Sequence, residues 1–443
     1  MEDDSSSILA TPTFHSSRFT PPTPFARRRA HSSYAPRTTE HATRNTPPAL
    51  PPRSHIGVLT PPTPHGTRNT HPPVSALPYR RIVLKLGTSV LTAGTPYLSR
   101  PRLVDLVRQG AGLRDRGAEL IVVSSGAMAA GKEQLHFPDL PPSVPAKQML
   151  SAVGQPRLMT IYQQYFEIYG IHIGQLLLTR ADLQERRRYL NARHTLMSLL
   201  AHGILPIINE NDSVTAEEIR VGDNDNLSAM VATLAEADLL ILLTDQPGLF
   251  TADPRKDPAA QLIPEVERID DDLLAAAGGA GSGLGTGGMA TKLQAAETAT
   301  RGGATVLIAS GSQPDVLLRL AEGAPLGTRF LPSAGRPESR KRWLLAGYTT
   351  SGRLVVDAGA AKALVRNGSS LLPAGIAAVE GDFQRGDTIS ILAPTGRELA
   401  RGLTNYQADE VRRLRGRHSR EILAILGYEY GEEVIHRNDL ILL

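Results

Sequence analysis

Arg81-Ile82-Val83-Leu84-Lys85-Leu86-Gly87-Thr88-Ser89 opens the part of the chain that can build a sheet. Ile82–Leu86 is a short β-branched and aliphatic run with a lysine near its end. The glycine and two hydroxyls behind it read as a turn. The same texture recurs at Ala118–Val123, Ile171–Leu178, Ile204–Ile208, Leu239–Leu243 and Thr305–Ile308. Longer helical patterns separate these runs, at Leu103–Leu113, Arg157–Tyr169, Asn191–Leu200 and Leu227–Leu234. Short apolar strands alternating with helices give a sheet whose two faces are both covered. The expected fold is therefore α/β, a three-layer αβα sandwich with a mainly parallel sheet.

The texture differs on either side of this region. Residues 1–78 are rich in Pro, Thr, Ser, His and Arg and poor in large aliphatic residues, so ordering them costs more entropy than burial returns. They are expected to be a disordered tail. Thr20-Pro21-Pro22-Thr23-Pro24 recurs as Thr60-Pro61-Pro62-Thr63-Pro64, a pattern that suits a polyproline spacer or a docking peptide. After Pro332 comes a polar stretch, and beyond it short strands separated by glycines, at Leu354–Asp357, Ala377–Glu380, Thr388–Ile391 and Glu398–Gly402. The division expected is a tail over 1–78, an α/β domain over 79–335 and a small β-rich domain over 345–443.

The chain has 443 residues and no cysteine, which excludes disulfide scaffolds, thiolate zinc sites and cysteine nucleophiles. No apolar run approaches the roughly 18 residues of a membrane helix. The acidic start Met1-Glu2-Asp3-Asp4 lacks the basic-then-apolar order of a secretory signal, so a cytoplasmic location is expected. The formal charge is +4, and the tail alone, with eight Arg against four Asp or Glu, carries all of that excess. The remainder of the chain is neutral overall, which disfavours a general nucleic-acid binder.

Polar residues gather where the strands end, the edge at which open α/β sheets bind ligands. Lys85 stands at the end of the first run. Ser124-Ser125-Gly126-Ala127-Met128-Ala129-Ala130-Gly131 can present backbone amides to an anion. Gly126 to Lys132 has Walker spacing, but Glu133 takes the place of the magnesium-binding hydroxyl, so no P-loop is expected. Asn209-Glu210-Asn211-Asp212 and Gly222-Asp223-Asn224-Asp225-Asn226 suit an ammonium group or a cationic site, and equally an acidic loop or helix cap. Thr244-Asp245 could frame a nucleotide. The segment Gly281-Ser282-Gly283-Leu284-Gly285-Thr286-Gly287-Gly288-Met289-Ala290-Thr291-Lys292 enters a helix, so its amides, the helix dipole and the lysine all favour phosphate. It matches GxGxxG but follows no strand, which argues against a dinucleotide site.

In order, KLGTSVLT, SSGAMAAG, INENDSV, VGDNDNLSA, LLTDQPGLFTADPR and GLGTGGMATKLQAA resemble the successive signatures of the glutamate 5-kinase branch of the amino acid kinase family. The stretches Lys341-Arg342-Trp343, Gly368 to Ile376, Phe383 to Asp387, His418 to Ile422 and Gly427 to Gly431 are similar to a PUA domain. The resemblance covers Arg81 to the C-terminus and leaves the tail unaccounted for. It implies transfer of the γ-phosphoryl group of ATP to the side-chain carboxylate of L-glutamate, the committed step toward proline. It also implies site roles. Lys85 and Lys292 would act on the phosphates with Asp225 orienting both, while Ser125, Asp212 and Asn224 would hold glutamate. Thr244 and Asp245 would line the nucleotide site, and Thr286, Gly287, Gly288, Met289, Ala290, Thr291 and Lys292 would cradle its phosphates. Mg2+ would ride on the nucleotide. A homo-oligomer, dimer or tetramer, is implied, with glutamyl phosphate reductase as a further partner. RNA at the PUA-like unit is the competing reading.

Overall fold

The computed structural model describes residues 77–214, 223–255, 257–270, 273, 288–333 and 350–443. The Pro-rich stretch up to residue 76, residues 215–222, 256, 271–272 and 274–287, and 334–349 with Lys341-Arg342-Trp343 lie outside the described residues.

Eight strands form one sheet: β1 (Arg81–Leu86), β2 (Glu119–Ser124), β3 (Ile173–Leu178), β4 (Leu205–Glu210), β5 (Leu239–Thr244), β6 (Glu265–Val266), β7 (Thr305–Ser310) and β8 (Thr328–Phe330). Their order across the sheet is β3-β4-β2-β1-β5-β7-β8-β6. The first six in that order are parallel, and β8 runs antiparallel to β7. Helices α1 (Thr88–Thr92), α2 (Arg100–Asp115), α3 (Ala127–Gln134), α4 (Val144–Glu167), α5 (Arg180–Gln184), α6 (Arg186–Ala201), α7 (Asp223–Ala235), α8 (Met289–Arg301) and α9 (Val316–Ala321) make the connections.

The three layers follow from the alternation of β1. Val83 faces a core shared with Tyr189, Leu190 and Leu196 of α6, Leu227 and Leu234 of α7 and Leu293 of α8. Ile82, Leu84 and Leu86 face the opposite core, with Leu103 and Leu106 of α2, Leu158 and Tyr162 of α4 and Leu317 of α9. Every residue of β5 is buried. At about 1.5–3 kcal/mol per buried aliphatic side chain, such central strands hold the sheet together. Leu77 and Tyr79 pack against the second core, just ahead of β1.

Two helices approach unusually closely. A Cβ on Gly154 of α4 would lie 1.8 Å from the Ala127 carbonyl oxygen, and one on Gly131 of α3 would lie 2.0 Å from that of Leu150. Backbone therefore rests on backbone, and α4 presents Ser151 and Gln155 directly beside the loop that carries Ser125.

The C-terminal unit holds a second sheet of β9 (Gly352–Val356), β10 (Ile376–Gly381), β11 (Thr388–Leu392), β12 (Glu398–Leu403) and β13 (Leu440–Leu442), in the order β10-β9-β11-β12-β13. It also contains helices α10 (Ala358–Asn367), α11 (Ala408–Leu414) and α12 (Ile422–Leu426), which the glycine-punctuated sequence pattern does not announce. Asp357 caps the first of them by accepting from the Ala360 amide.

The two sheets are joined by a polar seam. Arg193 of α6, nearly buried, pairs with Glu236 at 2.9 Å and with the buried Asp439 at 3.5 Å. The Asn438 amide donates to Glu236 at 2.6 Å. Arg385 donates to Asn191 and, at 3.3 Å, to His194 Nδ1. Leu403 of β12 completes the apolar part by joining the core shared by α6 and α7.

Candidate active site

Lys85 sits near the end of the central strand β1, with β2 on one side and β5 on the other. Its Nζ lies 2.6 Å from Asp225 Oδ1, and Lys292 Nζ lies 3.2 Å from Asp225 Oδ2. Thr291 donates its hydroxyl to the same Oδ2 at 2.8 Å. Asp225 has no exposed surface, Lys85 has 5% and Lys292 has 8%. A carboxylate so placed, on the first turn of α7, joins the strand-end lysine to the lysine on the first turn of α8.

Burial alone would raise the Asp225 carboxyl, but the Lys85 and Lys292 charges, with hydrogen bonds from Lys85 and Thr291, outweigh it and hold it below the usual carboxylate range. Burial pushes the Lys85 ammonium down against the pull of Asp225, and the Lys292 charge pushes the same way. Two ammonium groups around one carboxylate leave a net positive charge in a desolvated place. Such a site binds an anion that spreads charge over several oxygens.

On the β2/β4 side lies a set of amides and hydroxyls. Asn224 Nδ2 donates to Ser125 Oγ at 2.9 Å and to Asn209 Oδ1 at 3.0 Å. Asn209 Nδ2 donates to Gln155 Oε1 at 2.8 Å. Asp212 stands just past β4, half-buried, its carboxyl raised by burial against an opposing contribution from the Ser151 hydroxyl. The structure thus brings Ser125 and Asn224 into contact and places Asp212 beside Ser151. Gln155 and the bridging place of Asn209 were not anticipated. A glutamine inside a helix and followed by proline looks like a surface residue, and only its neighbour Gly154, required for the α3/α4 contact, could have signalled it.

On the β5 side, Thr244 is buried and donates to Asp245 Oδ1 at 3.0 Å. Gly288 caps α8, with Met289, Ala290 and Thr291 half-buried after it. Thr286 and Gly287, expected at the phosphates, lie outside the described residues. Glu133, the residue that spoils the Walker pattern, is structural: it accepts from the Leu98 amide at 3.1 Å and pairs with Arg100 at 2.8 Å.

Residues 80–310 match the amino acid kinase family, and residues 352–426 match the PUA domain. A glutamate 5-kinase of Deinococcus radiodurans is 60% identical over 363 residues, covering 82% of this chain and 100% of that protein. The chain belongs to the amino acid kinase family, on its glutamate 5-kinase branch. Glutamate 5-kinases of Shewanella amazonensis and Sodalis glossinidius are each 57% identical, covering 96% and 98% of those proteins. This amino acid kinase carries the PUA-domain match in its C-terminal unit, and among its described residues no helix is long and apolar enough to cross a membrane.

Proposed function

We propose that the chain transfers the γ-phosphoryl group of ATP to the side-chain carboxylate of L-glutamate, giving ADP and L-glutamyl 5-phosphate for proline biosynthesis. The observation that carries this reading is the buried Lys85-Asp225-Lys292 cluster, set between an amide-lined edge and a second strand-end edge. Close relatives named glutamate 5-kinase support it.

The chemistry asks little of the protein. The acceptor carboxylate is already ionised at neutral pH, so no general base is needed, and catalysis reduces to positioning and charge stabilisation. Lys85 and Lys292 would stabilise the negative charge on the phosphoryl oxygens as the bond to ADP breaks, with Asp225 fixing both ammonium groups. Ser125, Asp212 and Asn224 would hold glutamate on the β2/β4 side. Thr244, Asp245 and the residues from Thr286 to Lys292 would hold ATP on the β5/β7 side. Both Asp225 oxygens are committed to cations, so Mg2+ would be carried by the nucleotide phosphates rather than by this carboxylate.

We assign the kinase unit to 79–335 and the PUA unit to 345–443, with a cytoplasmic, homo-oligomeric enzyme as the working form. The acyl phosphate product is labile, which favours a nearby reductase as consumer. A coupled ADP-release assay with glutamate, acetylglutamate, aspartate and UMP tests the activity. ADP release with glutamate alone is expected, and release with another acceptor in its place overturns the reading.

A further inference from the structure

A chain of side-chain amides runs through the glutamate edge, and each amide in it has only one possible orientation. The Glu210 backbone N–H donates to Asn209 Oδ1 at 2.9 Å, which fixes that oxygen as the acceptor. Asn209 Nδ2 must then point the other way, and it donates to Gln155 Oε1. The Asn209 oxygen also accepts from Asn224 Nδ2, whose second contact is Ser125 Oγ. Both Asn224 contacts use its amino group, so its carbonyl oxygen is the atom left over. Asn224 Oδ1 is buried and has no hydrogen-bond partner among the described residues. Gln155 and Asn209 are themselves 8% and 2% exposed.

A buried carbonyl oxygen without a donor costs free energy unless a ligand supplies one. On the same edge stands Asp212, a half-buried carboxyl. An acceptor oxygen on an edge that also carries a carboxylate suits a group that only donates, such as an ammonium. If Asn224 were turned over, it would present an amino group there and repel the same ligand. The orientation is therefore a selectivity element, set from a distance by the two groups that hold Asn209, the Glu210 backbone N–H and Gln155 Oε1.

We propose that Gln155 is a positioning residue for selectivity toward a free amino acid: by accepting from Asn209 it holds Asn224 with its carbonyl oxygen toward the substrate ammonium. Gln155 acts through Asn209 and need not touch the reacting atoms. Without its Oε1, Asn209 Nδ2 is left buried and unpaired, and a shift of Asn209 toward another acceptor displaces the oxygen that holds Asn224. The inference rests on the assignment of this edge to glutamate.

The test compares wild type with Gln155→Met and Gln155→Glu, using glutamate and glutarate, which keeps both carboxylates and lacks the amino group. In Gln155→Met the glutamate KM is expected to rise about tenfold or more, with kcat within about threefold and the ATP KM unchanged. The preference for glutamate over glutarate should shrink by a similar factor. Gln155→Glu still offers an acceptor to Asn209 and should recover most of that preference. Gln155→Leu, of similar volume, carries the same reading if the methionine variant does not fold. Unchanged glutamate preference in a folded Met or Leu variant overturns the proposal, as does a loss confined to kcat. If wild type shows no glutamate-dependent turnover, the functional reading fails instead, and the two failures are distinct.

Discussion

Asp225→Asn keeps the shape of the side chain and removes the one negative charge between two buried lysines. Losing one partner of a buried ion pair costs about 3–5 kcal/mol. Proton loss gives an independent bound: deprotonating a lysine of ordinary value 10.5 at pH 7 costs 1.36 kcal/mol per unit, about 4.8 kcal/mol. Burial already holds Lys85 below that value, so the variant can relieve its repulsion for less. We expect it to fold with Lys85 neutral, its stability deficit below about 5 kcal/mol. One ammonium of the clamp is then missing, and kcat should fall about 10²–10³-fold.

The pH dependence separates this explanation from a general loss of structure. A folded-state lysine pKa lying below its unfolded value means the unfolded chain binds more protons, so stability rises with pH. The deficit against wild type should therefore shrink as pH is raised, by up to about 1.4 kcal/mol per unit. Turnover should move the other way, because lowering the pH returns the proton to Lys85. Denaturant unfolding and initial rates between pH 6 and pH 8.5 measure both. A variant with wild-type kcat, or with stability and activity moving together in pH, refutes the reasoning.

Three further outcomes rest on named contacts. Asp212→Ala should raise the glutamate KM about tenfold or more with kcat nearly kept, since it removes the ground-state contact proposed for this carboxylate; in wild type, glutamate affinity should fall once pH drops into the raised range where Asp212 takes a proton. Gly154→Ala places a carbon 1.8 Å from the Ala127 oxygen and should cost at least about 1–3 kcal/mol in chemical denaturation by prying α3 from α4. His194 is held down to about 4 by burial and by Arg385 and Arg193, against Asp439, with His436 also opposing its protonation. The unfolded chain binds its proton near 6.5, so the seam between the sheets should lose stability as pH falls from 6.5 towards 4, and Arg385→Ala should reduce that dependence. Thermal melts across this range read the slope.

Much of the fold is visible in the sequence because the central strands are continuous apolar runs. β1, β2 and β5 are buried on both faces and cannot be anything else. The pieces that escape are those without a period: β6 and β8 have two and three residues, and β13 sits at the end of the chain with three. β3, expected from Ile171, begins at Ile173, since an edge strand is defined by its single partner β4. In the site, Lys85, Asp225 and Lys292 announce themselves as polar residues at strand ends and helix starts. Their convergence on one carboxylate is a property of the sheet order, which places β1 between the two edges. Thr291, expected at the phosphates, spends its hydroxyl on Asp225. Gln155 has only the indirect signal of its neighbour Gly154, since its place beside Asn209 arises from a helix contact made possible by Gly131 and Gly154.

The most direct test of the charge clamp is a single-turnover measurement of acyl phosphate formation, trapped with hydroxylamine as the γ-glutamyl hydroxamate, for wild type and Lys292→Ala at saturating glutamate and ATP. Wild type should form hydroxamate in step with ADP, and Lys292→Ala should form the same product about 10²-fold more slowly with its glutamate KM little changed. Equal single-turnover rates in the two proteins, or ADP release without hydroxamate, would contradict phosphoryl transfer to the glutamate carboxylate by Lys85 and Lys292.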